Sequence, residues 1–526
     1  MIRVCHCFFG SDHGYPYHYY ERPDEPMPPL ADLGRGSSAG GVSYNETAFP
    51  PDYRDSLYFC EWGRGVVRYH KTRRSSSFKR MTESDFAYGA KDDPYGFKPT
   101  DLVIDYDGSM LISDWCDGQR PKRGRGRIYR ISCLETDGGR VETATQASEL
   151  DTASLIRELD ADSLHQRTAA QLELQKRGTT AVSEVVTALE NNQLAPRARM
   201  HALWILALTA DGTVPHILLD LAESDSDARV QSQAIRAIGD LTDPILKDNR
   251  LESRAGDHRL AGRIAKIAEQ ADPRVVLEAI IVMRRLHWPA TPEWLVSHWS
   301  AQDPALDHAA QQALRNCSHW PAVIRLLEES PRFRRIALHA MAEQRTTFLV
   351  DQFIERLKQK ENPALRREYV DALSRIVRKN EPWTYWGFRP QARPAATIAW
   401  ERTTDIEKAL NAVLLDTDVG LRDFTLGRML REGIVPEFSV LATWLQQDTD
   451  EQRVSTILET LRTHYMDQIQ PILIQTTLRS DLTESNRLIA VSMLIKGMSD
   501  DAASLVELAT KLDDGPVLAS LLHEFG

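Results

Sequence analysis

The sequence of 526 residues predicts a β-rich segment at residues 1–140 and an all-helical segment at residues 145–526. In the first segment, short apolar runs alternate with turn residues, which is typical of strands. In the second, apolar residues recur every three or four positions, which is typical of amphipathic helices. The charge changes at the same place, because residues 1–140 are neutral overall and the net charge of −11 lies in the remainder.

The strands of the first segment include two copies of one pattern. Each copy has an apolar strand ending in an acidic residue and Trp, then an Arg-Gly turn and a second strand, and Trp62 and Trp115 mark copies 53 residues apart. Asp107-Gly108 predicts a tight hairpin turn, since this pair tolerates positive φ. Six strands are expected, at Gly41–Tyr44, Ser56–Glu61, Gly65–Tyr69, Asp101–Asp105, Ser109–Asp114 and Arg127–Ser132.

A repeat of about 50 residues with about four short strands per unit is typical of β-propeller blades. Residues 1–140 supply two to three such blades, whereas closure typically takes at least four. We therefore predict a partial β-propeller. Its open strand edges would favour self-association of the chain.

The segment from Pro99 to Trp115 resembles the last blade of the glucose/sorbosone dehydrogenase-type propeller and, more narrowly, a bacterial family of membrane-bound dehydrogenases. The stretch from Phe9 to Pro16 is similar to that propeller's Asn-Tyr-Gly-Trp-Pro sequence. The stretch from Ala31 to Gly40 is similar to its Gly-Ser-Pro-Thr-Gly signature, with Ser-Ala in place of Pro-Thr. Members of the family join a propeller to helical repeats and a cytochrome c domain, and they are typically exported, periplasmic or membrane-associated.

This resemblance implies a sugar or alcohol dehydrogenase that uses pyrroloquinoline quinone and calcium and passes electrons to cytochrome c. Arg64, Asp101 and Asp114 lie at strand ends, which line the central opening of such folds, and we predict them as weak cofactor-binding candidates for the quinone, the calcium or a sugar. Alternatively, the two aspartates cap turns or pair with Arg64. The family's catalytic His belongs to blades that would precede Met1, and its haem motif Cys-x-x-Cys-His does not occur. No catalytic residue or metal ligand is therefore predicted.

Helix starts recur about every 30 residues in the second segment. Each has a capping side chain, in several cases directly before a Pro whose missing N–H costs nothing at the first helical position. The period resembles HEAT-type repeats, as does Ala202-Leu203-Trp204-Ile205-Leu206, and it predicts an α-solenoid with one continuous core. The starts lie at Asp227, Asp272-Pro273, Asp303-Pro304, Ser330-Pro331, Asn362-Pro363, Asp418, Asp450 and Glu484.

Two insertions, at residues 242–270 and 380–402, interrupt this period. The first suggests an extra helix. The second interleaves aromatic and Arg side chains that could stack on a sugar, a base or a Pro-rich partner, or that simply pack onto the solenoid. The candidates for a binding loop are Trp383, Trp386, Arg389 and Arg393.

Composition and spacing exclude several classes of protein. The sequence contains no run of 18 apolar residues and thus no predicted spanning helix. The apolar stretch within the first ten residues is too short for the hydrophobic region of a signal peptide, and no small-residue cleavage site follows it. A late start of the chain would also explain the missing signal, so localisation stays open. The acidic second segment disfavours nucleic-acid binding, and the basic runs Lys71–Arg80 and Arg120–Arg130 are interpreted as solvated hairpin faces. The six cysteines form no Cys-x-x-Cys pair.

Two functions follow from these patterns. The first is an interaction scaffold without catalytic activity of its own, which binds a protein partner through the concave face of the solenoid. The alternative is a dehydrogenase of which this chain is a fragment, with the missing blades and cytochrome domain supplied elsewhere. Whether the chain takes part in an enzyme is thus left open.

Overall fold

The computed structural model forms two compact units, Met1–Ala340 and Met341–Gly526. The change from strands to helices falls inside the first unit, and the predicted division into domains at residues 140 and 145 stays a prediction. In the described part of the chain, no helix is both long enough and apolar enough to cross a membrane. The described residues are 2–14, 22–34, 38–79, 81–92, 96–115, 126–134, 146–209, 214–299, 302–359, 362–382, 396–462, 464–498 and 501–523.

The β-rich part of the first unit consists of small antiparallel sheets. One sheet has the strand order β3-β4-β5-β8, another has β9-β10-β11, and two pairs, β1-β2 and β6-β7, complete it. These strands are β1 Ile2–Val4, β2 Ala31–Gly34, β3 Ser38–Ser43, β4 Ser56–Glu61, β5 Gly65–His70, β6 Arg73–Arg74, β7 Ser77–Phe78, β8 Thr82–Ala87, β9 Pro99–Ile104, β10 Met110–Asp114 and β11 Arg127–Ile131.

The predicted internal repeat is confirmed by the pairing of the strands. β4 pairs antiparallel with β5, with Ser56 opposite His70 at one end and Glu61 opposite Gly65 at the other. β10 pairs with β11 in the same antiparallel manner. In each copy the preceding strand, β3 or β9, lies on the other side of the hairpin. Both sheets thus have the strand order of a propeller blade, and only the first has a described fourth strand, β8, which the sequence analysis missed.

The two sheets share one hydrophobic core. From the first sheet and its connections come Tyr44, Tyr58, Cys60 and Val66, and from the second come Leu102, Met110 and Ile112, all buried. The opposite face of the first sheet packs around Val67 and Tyr69 against the β1–β2 pair. This alternation of inward side chains fixes the register of every strand.

Replacing Gly40 with Ala is expected to lower the free energy of unfolding by about 1–3 kcal/mol, the usual cost of overpacking. A Cβ at Gly40 would lie 2.6 Å from the Cα of Asp101, so β3 could not approach β9 as closely. Chemical denaturation of the full chain measures the change. Gly427→Ala is the matched control, because that helical glycine has open space around it and the substitution should stabilise by about 0.5–1 kcal/mol. Equal effects at the two positions would contradict the prediction.

Helices fill the rest of the first unit. They are α1 Thr152–Glu158, α2 Leu164–Arg177, α3 Thr179–Glu190, α4 Pro196–Leu208, α5 Val214–Ser224, α6 Ala228–Thr242, α7 Pro244–Asp248, α8 His258–Ile267, α9 Pro273–Arg285, α10 Thr291–His298, α11 Pro304–Cys317, α12 Trp320–Arg325 and α13 Pro331–Met341. The first helices of successive repeats, α2, α4, α6, α9 and α11, pack side by side. We call these five helices the first layer.

The second unit repeats the same construction. Its helices are α14 Thr347–Lys358, α15 Pro363–Ile376, α16 Thr403–Val413, α17 Val419–Arg431, α18 Phe438–Gln447, α19 Glu451–Leu461, α20 Met466–Leu478, α21 Glu484–Gly497, α22 Ala502–Ala509 and α23 Pro516–Leu522. A short antiparallel pair, β12 Lys379–Asn380 and β13 Ala396–Ile398, flanks the second insertion. The fold class is therefore confirmed: small antiparallel sheets precede an all-α solenoid of HEAT type.

The predicted helix starts are confirmed, because local capping decides them. Asp272 accepts a hydrogen bond from the backbone N–H of Arg274 at the start of α9, and Asn362 accepts one from Ala364 at the start of α15.

Asp416 and Asp448 stabilise the turns that precede two helices of the second unit. Each is the first residue of an Asp-x-Asp turn, accepts the N–H of the next Asp and binds an Arg. These turns connect helices of the second unit by hydrogen bonds and ion pairs in addition to packing.

Candidate functional site

The three predicted cofactor-binding residues already have protein partners. Arg64 binds the carboxylates of Glu83 and Asp85 on β8, at 2.8 and 2.6 Å. This pairing corrects the expectation that the guanidinium pairs with Asp101 or Asp114, and the reason is that β8 was not foreseen beside β5. The structure therefore provides the Arg64 side chain with a structural role at a sheet edge.

Asp114 and Asp101 lie on neighbouring strands but do not converge on one site. Asp114 is buried, accepts the N–H of Lys98 at 2.8 Å and pairs with Arg127 at 3.0 Å. Asp101 accepts the N–H of Leu102 at 2.9 Å. Asp114 thus stabilises the end of β10, whereas Asp101 lies within β9 and does not cap a turn. A role of either residue toward a quinone, calcium or a sugar stays a prediction.

The predicted binding loop of Trp383, Trp386, Arg389 and Arg393 lies outside the described residues. Within the part of the chain that the structure describes, no group of three or more His, Cys, Asp or Glu side chains could hold a metal ion.

A continuous row of polar side chains crosses the first layer. The Nδ1 atom of His201 on α4 lies 2.7 Å from Oε1 of Gln171 on α2. One helical turn further along α4, the indole N–H of Trp204 donates to Oε1 of Gln233 on α6 at 3.2 Å. All four side chains are half-buried. Each pair joins neighbouring repeats, so the row follows the direction in which the repeats stack.

The row continues onto α9 through a carboxyl group. Burial raises the pKa of Glu278 to about 7; the charges of Arg236 and Arg285 oppose this rise and that of Asp240 adds to it. Arg236 is exposed on α6. We call Gln171, His201, Trp204, Gln233, Arg236 and Glu278 the polar row.

The imidazole of His201 is neutral at neutral pH. Burial, together with the charges of Arg167 and Arg197, lowers the pKa of His201 to about 4. Because an amide oxygen can only accept, Nδ1 of the neutral ring carries the proton in its contact with Oε1 of Gln171. Both glutamine oxygens are thus occupied by aromatic N–H donors, which fixes the orientation of both amides.

The amino-terminal segment covers the first layer beyond the polar row. The ring of Phe9 lies 4.2 Å from the guanidinium carbon of Arg285 and 5.6 Å from that of Arg284, at the carboxyl end of α9. Gly10 has a φ of +76°, and a side chain there would overlap the Arg284 guanidinium. The backbone N–H of Asp12 donates to Nε2 of His308 on α11 at 2.9 Å. The first layer is therefore occupied at α9 and α11 by the chain itself.

A second contact between strands and helices lies at the other end of the first layer. The carboxylate of Glu46 accepts the N–H of His165 in the first turn of α2 at 2.9 Å. The ring of Tyr106 packs edge-on against His165, with centroids 4.4 Å apart. The helix dipole favours a carboxylate at this place. The polar row thus lies between two contacts that hold the β-rich part on the helices.

Replacing Glu278 with Gln is expected to stabilise the protein at pH 8. In the unfolded chain a Glu has a pKa of about 4.3, so the raised pKa of Glu278 in the fold makes its charged form unfavourable. The free energy of unfolding therefore falls as the pH rises from about 4 through 7. The amide removes this loss, on the order of 2 kcal/mol after allowance for partial exposure. Urea unfolding at pH 5 and pH 8 measures it, with exposed Glu184→Gln as the control; an equal gain at both pH values would contradict it.

A separate open groove lies between α1 and α3. Its volume is about 700 Å³, and its lining combines apolar Ile156 and Leu194 with charged Arg157, Asp160 and Glu184. Asp160 is held by Arg197 at 3.3 Å. The mixture of charges gives this groove no preference for one kind of ligand.

The polar row could not be recognised in the sequence because its members are distant along the chain. Its partners lie 29 to 30 residues apart on different helices, and each residue alone looks like an ordinary polar position on an amphipathic helix. The repeat spacing itself was the available signal, because positions one repeat apart become neighbours when helices stack. Trp204 lies in the apolar run Ala202-Leu203-Trp204-Ile205-Leu206, but it is only half-buried and donates its N–H to the row.

Searches by sequence find no family model and no curated protein that matches the chain. The resemblance to the dehydrogenase family therefore has no support from these comparisons.

Several solved structures match the chain, all with low sequence identity and low TM-scores. YibA of Escherichia coli is 18% identical over 64% of this chain and 100% of its own, with a TM-score of 0.24. Human deoxyhypusine hydroxylase is 17% identical over 54% of this chain and 97% of its own, with a TM-score of 0.20. Karyopherin Kap121p bound to the SUMO protease Ulp1p is 11% identical over 72% of this chain and 49% of its own, with a TM-score of 0.32. At these values the likeness carries no functional conclusion.

Proposed function

We propose that the chain is an interaction scaffold that binds a protein partner on the surface of its first layer. The observation that carries the proposal is the polar row, a set of polar side chains that runs across four repeats, from α2 to α9, between two intramolecular contacts. Solenoids bind partners along such surfaces because each added repeat adds contact area.

Photo-crosslinking tests the proposal on the full chain. A benzoylphenylalanine is placed at position 208, one turn beyond Trp204 on α4, where Leu208 is 69% exposed. The control is position 187, which is exposed on α3, a helix that does not belong to the first layer. A discrete adduct with a second polypeptide is expected from position 208 only. Adducts of equal yield from both positions, or none from either, would overturn the proposal.

The dehydrogenase alternative gives the opposite outcome in an activity assay. The full chain is supplied with pyrroloquinoline quinone, calcium, a panel of aldoses and an artificial electron acceptor. The scaffold proposal expects no turnover above that of the cofactor alone. Turnover that Asp101→Ala abolishes would replace the scaffold by a dehydrogenase.

A further inference from the structure

The polar row offers an excess of hydrogen-bond donors. The oxygens of Gln171 and Gln233 are occupied by His201 and Trp204, whereas neither amide nitrogen makes a hydrogen bond to any described residue. An amide nitrogen is a donor only. Two oriented N–H₂ groups are therefore available, on α2 and on α6, to a ligand that supplies carbonyl or carboxylate oxygens.

Arg236 adds a positive charge to these donors. Its side chain is exposed and, among the residues that the structure describes, forms no salt bridge. Its charge acts on Glu278, which is partly protonated at neutral pH because burial raises the pKa of Glu278 to about 7. Most other arginines of the first layer are held in pairs, such as Arg199 with Asp225 at 2.7 Å and Arg285 with Asp243 at 2.7 Å. Arg236 is thus a cation in the row that is available to a ligand's carboxylate.

We propose that the polar row binds an extended acidic peptide segment, whose carboxylate pairs with Arg236 and whose backbone carbonyls accept from the amides of Gln171 and Gln233. This inference rests on the proposed function and specifies its partner. Packed helices lie 8–10 Å apart, so α2 and α6 are separated by roughly 16–20 Å. An extended chain rises roughly 3.3 Å per residue, and about six residues span this distance.

The charges favour a peptide over a polyanion. Glu278 and Asp240 lie beside Arg236, so a ligand with many phosphates would meet these carboxyl groups as well as the single guanidinium. Phosphate backbones are bound by clustered Lys and Arg, whereas Arg236 is a single cation within the polar row. One carboxylate directed at one arginine, with neutral amides on either side, is the ligand that this arrangement accommodates.

The experiment starts from random twelve-residue peptides displayed on phage and selected on the immobilised full chain. The most enriched sequence is synthesised with a fluorescein label, and its affinity is measured by fluorescence anisotropy. Enriched peptides are expected to share an acidic residue, and changing it to the amide should weaken binding roughly tenfold or more, as expected for a charge-assisted bond. Enrichment of basic or purely apolar peptides would overturn the inference.

Matched variants connect the peptide to the row. Arg236→Ala should weaken binding roughly tenfold and Gln233→Ala by a smaller factor. Arg263→Ala should have no effect, because Arg263 lies on α8 and pairs with Glu223. Circular dichroism checks that each variant folds. If Arg236→Ala loses stability, Arg236→Lys replaces it in the test; because this variant keeps the positive charge, it should retain part of the affinity. An affinity that is indifferent to both row variants would overturn the inference.

The pH dependence of binding gives a further readout, which a loss of the Arg236 side chain alone would not produce. Glu278 faces Arg236 on α6 and lies near Asp240 and Arg285, so its ionisation adds a negative charge beside the ligand's carboxylate. Binding should therefore be tighter at pH 6 than at pH 8, and Glu278→Gln should remove the difference. If the adduct at position 208 persists while acidic peptides do not bind, the inference fails and the proposed function stands. If neither is found, both fail.

Discussion

Replacing Asp243 with Ala is expected to lower the free energy of unfolding by about 3–5 kcal/mol, the cost of removing one partner from a buried ion pair. The side chains of Asp243 and Arg285 are only 3% and 2% exposed, and Oδ2 of the aspartate lies 2.7 Å from Nε of the arginine. Asp243 also caps α7, since its Oδ1 accepts the N–H of Ile245 at 2.8 Å. The substitution therefore leaves a buried guanidinium without its main partner and a helix without its cap.

The neighbouring residues explain why Arg285 cannot escape into water. The ring of Phe9 covers its guanidinium at 4.2 Å, and one of its nitrogens, Nη2, is already buried without a hydrogen-bond partner among the described residues. Asp240 binds Nη1 at 2.6 Å but is itself 41% exposed. The remaining pair would thus be screened by solvent, and it compensates little for the loss.

Chemical denaturation of the full chain, followed by far-ultraviolet circular dichroism, measures this effect. Asp243→Asn separates the two roles, because the amide oxygen can still cap α7 while the negative charge is lost; we expect an intermediate destabilisation. Asp240→Ala is the control and should cost less than about 1 kcal/mol. Equal losses for Asp243→Ala and Asp240→Ala would show that burial does not govern the pair.

Features that depend on local interactions could be predicted from the sequence, whereas features that depend on long-range interactions could not. The starts of α9, α11 and α15 were predictable because a capping side chain and a Pro act on the residues beside them. The hairpins β4–β5 and β10–β11 were predictable because their turns and alternation are local as well. β8 was missed because Thr-Glu-Ser-Asp-Phe-Ala has little apolar character, and its polar side chains serve Arg64 and Tyr69 across the sheet edge.

The basic run Lys71–Arg80 shows what a composition argument cannot reveal. Its interpretation as a solvated hairpin face is confirmed, because β6 pairs with β7 and Arg73, Arg74 and Lys79 are exposed. The contact that the turn of this hairpin makes with a helix was not foreseen. Ser76 at its turn is completely buried, because it contacts α11, more than two hundred residues further along the chain. Such a contact depends on the arrangement of whole elements, which no local pattern encodes.

Asp303 is the residue that makes this contact, and Asp303→Ala is expected to destabilise the fold by about 3 kcal/mol. Its Oδ2 accepts two hydrogen bonds from Ser76, from the N–H at 2.9 Å and from the hydroxyl at 2.7 Å. Its Oδ1 caps α11 by accepting the N–H groups of Ala305 and Leu306. Because the Asp303 side chain is buried, the substitution leaves four donors without their acceptor. Each buried donor left unpaired lowers the free energy of unfolding by about 1 kcal/mol or more.

The same residue makes the attachment of the hairpin sensitive to acid. Desolvation raises the pKa of Asp303, but hydrogen bonds from Ser75, Ser76 and Leu306 outweigh it, and the pKa in the fold lies below its usual value. Since the unfolded chain has an Asp pKa of about 3.9, the stabilising effect is complete above that pH and is lost as the pH falls through the lower pKa of the folded state. Asp303→Ala should therefore reduce the stability much more at pH 7 than at pH 2.5.

Limited proteolysis distinguishes loss of the hairpin contact from loss of the helix cap. Cleavage within residues 71–79 should become faster in Asp303→Ala, while Ser76→Ala, which removes the hydroxyl donor and leaves the cap, should give a smaller increase at the same place. Asp272→Ala is the matched control, because Asp272 caps α9 in the same way through the N–H of Arg274. If Asp272→Ala exposed the hairpin as much as Asp303→Ala, capping alone would explain the effect and the buried contact between Ser76 and Asp303 would not hold the strands on the helices.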